Sequence, residues 1–233
     1  MIVLAIETSS RLGSVALWRD GRPLGERTLA QSLNHGSLLF VELRRLHADA
    51  GIGPAAVDLL AVSQGPGSYT GLRIGLATAR TAAYVLARPL LGVPSLDVLA
   101  ENAPGDTAHV ATVLDAKRGE VYACLYARQG GRLERQTAYR VVRADRLELP
   151  TPCLVLGDAV ERHGAALARP GVTWAERDAW RPRAAVVARL AAARYDAGER
   201  QELHAIGPIY LRRPEAEDRW EARAAAVSRA QAL

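Results

Sequence analysis

The chain has 233 residues, 49% of them hydrophobic and 24% charged, with a formal net charge of +5. These values exclude long disorder, collagen-like repeats and coiled coils, and they allow one large domain or two small ones whose core needs no covalent staple. No apolar run approaches the roughly 18 residues of a membrane span, and two distant cysteines, Cys124 and Cys153, exclude a disulfide scaffold and a zinc knuckle.

In chain order, residues 2–7 (IVLAIE) read as a buried strand that starts without a basic leader. With the sparse cysteines, this points to a reducing cytoplasm. Gly13–Trp18 alternates as a second strand, and Asp20-Gly21 is a hairpin signal that returns the chain as a third strand over Pro23–Leu29. Residues 35–50 carry Leu39, Leu43, Leu46 and Ala50 at helical spacing, with Phe40 and Val41 as a second apolar patch off that stripe. Val57–Ser63 is a buried strand. The loop GPGSYTG follows, then a helix from about Thr70 to Arg88 that Pro89 ends. Leu90–Val93 is a short strand, and Ser95 is expected to cap another helix.

The opening pattern then recurs. His109–Asp115 is a buried strand, GEVYACLY alternates from Gly119, Gln129-Gly130-Gly131 turns, and a third strand is expected from Arg132. Cys153–Leu156 reads as a strand, Val160–Leu167 and Arg183–Ala197 as helices, and Ile206–Leu211 as strand or loop. Residues from Pro214 are helical by composition, and a helix there is expected to pack back on the first lobe. An internal repeat of this kind sets the architecture: a duplicated α/β protein with lobes 1–104 and 105–233, divided near Asn102–Thr107.

Chemistry-bearing motifs are few. Gly65–Arg73 (GPGSYTGLR) sits where backbone amides bind phosphate, but it has neither the lysine of a Walker loop nor the third glycine of GxGxxG. A tight strand-to-helix turn capped by Ser68 or Thr70 is therefore the reading preferred over a phosphate site. Gly67, Gly71, Gly75, Ala79, Ala83 and Ala87 recur every four residues. Glycine inside a helix costs up to ~1 kcal/mol against alanine, so this stripe implies a close approach by another backbone, either of the same chain or of a partner. Glu7 and Asp115 end equivalent strands, where paired acids facing a cleft would hold a metal–nucleotide complex or serve as turn residues. His35, His47, His109, His163 and His204 show no metal-ligand spacing, and no GxSxG elbow is present. No metal site and no catalytic residue is assigned. Lys117 is the single lysine, and the arginines are spread along the chain, permitting nucleic-acid contact without demonstrating it. Trp174, Trp180 and Trp220 lie among arginines, a pattern read as packing before base stacking.

The block AVSQGPGSYTGLRIGLATARTAAYVLARPLLGVPSLDVLA resembles the central signature of the bacterial TsaB (YeaZ) family of tRNA threonylcarbamoyladenosine biosynthesis. VLAIETSS followed by GSVALW, VLDAKRGEVYACLY and GPIYLRRPEAE resemble it too, so the likeness runs from residue 2 to about 217. The resemblance implies a fold of the actin/Hsp70/sugar-kinase type, with two RNase-H-like lobes. It also implies a non-catalytic subunit that binds and activates the TsaD transferase through first-lobe helices. The ATPase TsaE docks on that pair, ATP is used by the partner subunits with no tightly bound cofactor here, and tRNA is met mainly through the complex. Alone, such a chain forms a homodimer. Transferred to this sequence, the partner face is expected at Leu39, Leu43, Leu46, Leu72, Arg73, Gly75, Leu76, Ala79, Arg80 and Ala83. The HxxxH of the catalytic paralogue is missing, and Glu7 stands where the family pattern has Asp. The alternatives are an ATP-dependent phosphotransferase or hydrolase using Glu7 and Asp115, and a peptidase, for which no motif is present.

Overall fold

The computed structural model describes residues 1–29 and 35–212. The first half forms β1 (Ile2–Glu7), β2 (Ser14–Arg19), β3 (Arg22–Thr28), α1 (His35–Ala50), β4 (Leu59–Gly65), α2 (Tyr69–Leu86), β5 (Leu90–Pro94) and α3 (Ser95–Ala100). The second half forms β6 (His109–Asp115), β7 (Glu120–Gln129), β8 (Arg132–Arg135), β9 (Arg140–Arg143), β10 (Cys153–Leu156), α4 (Ala159–Leu167), β11 (Val172–Trp174) and α5 (Ala184–Asp196).

The repeat is visible in the sheets. The first has the order β3-β2-β1-β4-β5, and the second, read from its other edge, has β8-β7-β6-β10-β11. In each, the opening strand is central, antiparallel to the next strand in sequence and parallel to the fourth element of the sheet path. This is the duplicated RNase-H-like α/β fold. Two short strands escape the sequence pattern: β9, which pairs with β7, and β11, which extends β10. Residues 206–210 form no strand. They run as a loop tied to β4 by Ile209 N donating to Gln64 O (2.7 Å) and Gln64 Nε2 donating to Gly207 O (3.0 Å).

Strands β1, β2, β4 and β5 of the first sheet are buried on both faces because both faces are covered, whereas the edge strand β3 is polar and partly exposed. Leu4, Ile6, Val15, Leu17, Leu60 and Val62 pack with Leu39 and Leu46 of α1 and Leu76, Ala79 and Ala83 of α2. The intervening residues Val3, Ala5, Ala16, Leu59 and Ala61 pack with Val187, Ala188 and Ala191 of α5. The second sheet is covered by α4 on one face and by Leu96 and Leu99 of α3 on the other. The halves thus exchange helices. The sheets fall on either side of residues 104–105, but α5 returns to the first and α3 belongs to the second. Asp97 of α3 fixes that exchange by accepting from Tyr126 Oη and Tyr139 Oη, each at 2.7 Å.

Ser95 does not cap α3. Pro94 precedes the helix, and the Ser95 hydroxyl instead accepts from Gly65 N (3.1 Å), tying α3 to the end of β4. The expected helix from Pro214, its return to the first lobe and Trp220 lie outside the described residues. Trp180 is a packing residue: it sits against the second core, and its Nε1 donates to Ala175 O at 2.8 Å.

Candidate functional site

A cleft of about 530 Å³ opens between the sheets. Its lining comes from the turn after β1 (Ser9, Ser10, Arg11), the start of α2 (Gly67–Tyr69), the turn after β6 (Asp115–Arg118), the start of α4 (Asp158, Glu161, Arg162), and Tyr122, Tyr210 and Arg212.

The two strand-end acids have different fates. Asp115 reaches the cleft, where Oδ1 accepts from Lys117 N and Oδ2 from Lys117 Nζ, both at 2.8 Å. Arg162 (3.5 Å) and His163 (3.6 Å) also approach its carboxylate. Burial works to raise the Asp115 pKa, but the Lys117 hydrogen bonds and charge outweigh it and hold the acid below its ordinary value. Glu7 does not reach the cleft. It is fully buried, and its Oε1 accepts from Ser9 N and Ser9 Oγ at 2.6 Å each. Burial pushes its pKa up against the opposing pull of Ser63 and Ser9. Ser63 lies close enough to oppose the shift, although neither its hydroxyl nor Glu7 Oε2 has an aligned hydrogen-bond partner. The expected pair facing one cleft is therefore corrected to one half-buried, cation-bound acid at the cleft and one sealed acid whose pKa burial raises.

The start of α2 is occupied by the chain itself. Ser68 caps the helix by accepting from Gly71 N (3.2 Å), and Ser68 N donates to Ser9 O (2.7 Å). A Cβ on Gly67 would lie 2.2 Å from Ser9 O, one on Gly71 2.0 Å from Thr8 O, and one on Gly75 2.2 Å from Thr8 Oγ1. The backbone that the glycine stripe admits is thus the turn after β1, not a partner's helix. Among the described residues, no group of three His, Cys, Asp or Glu side chains is placed to hold a metal ion.

The residues of the expected partner face divide between this chain's core and its surface. Leu39, Leu46, Leu72, Leu76, Ala79 and Ala83 are buried in this chain's own core, and Gly75 is closed by Thr8. An apolar stripe at helical spacing faces the sheet beneath it. Leu43 is half-buried, and Arg73 and Arg80 are exposed. Among the described residues of α1 and α2, the large apolar side chains that face outward are others: Phe40 (62% exposed) and Val41 (36%) on α1, and Tyr84 (80%) and Val85 (73%) on α2. Beside α2 runs a groove lined by Arg73, Leu76, Arg80, Ile206, Pro208 and Tyr210. At its head, Tyr69 and Tyr210 stack at 5.2 Å and the Arg73 guanidinium lies 4.1 Å from the Tyr69 ring.

The family model described as "TsaD: tRNA N6-adenosine threonylcarbamoyltransferase" matches residues 29–174. The Bacillus subtilis tRNA threonylcarbamoyladenosine biosynthesis protein TsaB is 33% identical over 231 residues, 94% of this chain and 98% of that protein. The chain belongs to the TsaB family. The Escherichia coli TsaB is 33% identical over 130 residues, 55% of this chain and 56% of that protein. The structure of YeaZ from Pseudomonas aeruginosa superposes with a TM-score of 0.79 at 30% identity, covering 90% of this chain and 99% of that one. A second Pseudomonas aeruginosa structure, described as an uncharacterized protein with similarity to peptidase YeaZ, gives 0.81 at 29% identity over 91% and 99%. This TsaB-family chain is thus placed in tRNA threonylcarbamoyladenosine biosynthesis. Among its described residues, no helix is long and apolar enough to cross a membrane.

Proposed function

We propose that this TsaB-family chain is a non-catalytic scaffold subunit that binds and activates the TsaD transferase through the outer faces of α1 and α2. One observation carries the reading. Phe40, Val41, Tyr84 and Val85 are exposed on two helices that cover the same face of the first sheet. Exposed apolar side chains grouped on one side of a soluble fold mark interaction surfaces, and large aromatic residues supply most binding energy at such surfaces. The leucines beneath them hold the helices in place.

The cleft supports the absence of chemistry. Glu7 is sealed, Asp115 is already neutralised by Lys117, and the α2 N-terminus is closed by the carbonyl of Ser9. A phosphotransferase or hydrolase built on Glu7 and Asp115 would need the first exposed and the second unpaired. In this reading TsaE and the ATP it consumes belong to the assembled complex, the isolated chain pairs with itself through the same outer faces, and the site of action is the cytoplasm.

Light-scattering mass of the chain, alone and mixed with the TsaD homologue, tests the proposal. A heterodimer should replace a self-associated species. Phe40→Asp and Tyr84→Asp should each weaken it at least tenfold, because a charge is then desolvated where an aromatic ring was buried. A heterodimer unchanged by both substitutions refutes the assignment of this face.

A further inference from the structure

The outer face of α1 and α2 has a charge pattern that the scaffold reading leaves unused. At its centre are Phe40, Val41, Tyr84 and Val85. Arg44 follows Phe40 by four residues, and Arg80 precedes Tyr84 by four. Each exposed arginine therefore stands one helical turn from an exposed ring, on the same side of its helix. From Tyr69 to Leu86, α2 contains no acid. The two acids of α1 are both committed within the chain. Glu42 accepts from Arg27 and Arg45 at 2.7 Å each, and Asp49 accepts from Arg27 at 2.6 Å. Among the described residues, no carboxylate pairs with Arg44 or Arg80. The apolar centre is thus bordered by positive charge that this chain does not neutralise.

Such a face distinguishes between its occupants. A symmetric pair of this chain sets the same patch against itself, and that brings one positive border against another. Glu42 and Asp49 cannot answer the second copy's arginines without giving up Arg27. A surface with an apolar centre and carboxylates around it meets Arg44 and Arg80 with opposite charge instead. Complementary charge at a border favours the right partner, and like charge rejects the wrong one.

We propose that the α1–α2 face takes a protein surface with an acidic rim, and that Arg44 and Arg80 select this partner over a second copy of the chain. The inference rests on the scaffold reading, in which the partner is the TsaD transferase. It adds the chemistry of the transferase's docking surface and a reason for the heterodimer to displace self-pairing. The two assemblies then respond to salt with opposite sign: screening weakens the heterodimer and strengthens the self-pair.

The test is sedimentation equilibrium of the full chain, alone and mixed with the TsaD homologue, from about 0.1 to about 1 M NaCl. Over that range the screening length falls from about 10 Å to about 3 Å. Exposed ion pairs are each worth a factor of roughly 1.4–5. Two of them should make the heterodimer Kd rise about 2–25-fold, while the self-pairing Kd falls. Arg44→Gln/Arg80→Gln should lose both salt responses. Arg44→Glu/Arg80→Glu should weaken the heterodimer at least about tenfold. The same reversed copy should pair with the parent chain more tightly than the parent pairs with itself, which also shows that it is folded. Arg132→Glu/Arg146→Glu, an equal change of net charge on exposed residues of the second half, should leave both salt responses unchanged. A reversed copy that pairs with the parent no better than the parent with itself overturns the proposal. A heterodimer lost in Phe40→Asp but indifferent to salt and to both Arg44/Arg80 variants refutes the acidic rim alone. A chain that forms no heterodimer, while the parent and its reversed copy still pair, refutes the scaffold reading alone.

Discussion

Replacing Gly71 by alanine tests the seating of α2 on the turn after β1, and the expected sign is opposite to that of an ordinary helical glycine. In a helix, alanine gains up to ~1 kcal/mol over glycine. At Gly71 the new methyl would stand 2.0 Å from Thr8 O, a backbone atom with no rotamer to escape into. Ordinary C···O approach is about 3.3 Å, so α2 and the turn must part by more than an ångström. That movement stretches the bond from Thr8 Oγ1 to Gly71 O (2.8 Å) and disturbs the Ser68 cap. Overpacking costs about 1–3 kcal/mol and a lost cap about 1 kcal/mol, so the net effect is a destabilisation of about 1–3 kcal/mol. Gly164 is the internal control. It lies within α4, and a Cβ there would meet only Val160 Cγ1 at 3.8 Å, an ordinary contact. Gly164→Ala should therefore stabilise the chain by up to ~1 kcal/mol. Urea unfolding of the two variants and the parent reads both changes, and at this chain length each kcal/mol moves Tm by roughly 2–4 °C. If Gly71→Ala stabilises as Gly164→Ala does, the close seating of α2 on Thr8 is wrong.

Glu7→Gln should stabilise the chain at neutral and alkaline pH. The folded state raises the Glu7 pKa, so it keeps a proton that the unfolded chain releases near 4.5. Stability is then fully present below about that pH and is lost as pH rises towards the folded pKa, at about 1.4 kcal/mol for each pH unit. Unfolding free energies at pH 5 and pH 8 should show this loss in the parent and not in Glu7→Gln, and equal slopes would contradict the account. Tyr126→Phe and Tyr139→Phe each remove a hydroxyl that donates to the Asp97 carboxylate. Each should cost about 1.5–3 kcal/mol, the range for hydrogen bonds to a charged group. Because both serve one acceptor, a double-mutant cycle should be non-additive by at least about 0.5 kcal/mol, and strict additivity would argue against a shared anchor.

Much of the fold is legible in the sequence because the duplication repeats long, strongly patterned strands. IVLAIE and HVATVLD are buried on both faces and announce themselves as continuous apolar runs. β9 and β11 carry no such signal: RVVR and VTW are too short to show a period. The helix stripes were legible as buried but not in what buries them. Leu39, Leu46, Leu76 and Ala79 have the spacing of a core face, and spacing alone does not distinguish the chain's own sheet from a partner. The outward signal lay in residues off the stripe, Phe40 and Val41 on α1 and Tyr84 and Val85 on α2. Likewise Gly67, Gly71 and Gly75 announce a close approach, while the identity of the approaching backbone is set by the turn at Thr8 and Ser9, more than fifty residues earlier. In the cleft, Asp115 was readable from its place at a strand end. Arg11, Arg162 and Tyr122 were not, because they converge only after both halves fold.

The return of α5 to the first sheet has a consequence for biosynthesis. When the ribosome has made β5, the α1–α2 side of that sheet has its cover, but the side bearing Val3, Ala5, Ala16, Leu59, Ala61 and Leu91 does not. Its cover, Ala184–Asp196, is made about 90 residues later, a wait of roughly 5–18 s at ordinary elongation rates. Throughout that interval the nascent chain presents a flat apolar surface on a finished sheet, a substrate for holding chaperones and a nucleus for aggregation. A fragment ending near residue 104 would keep that surface uncovered permanently, so the first half belongs to a folding unit that closes only when the second half has been translated.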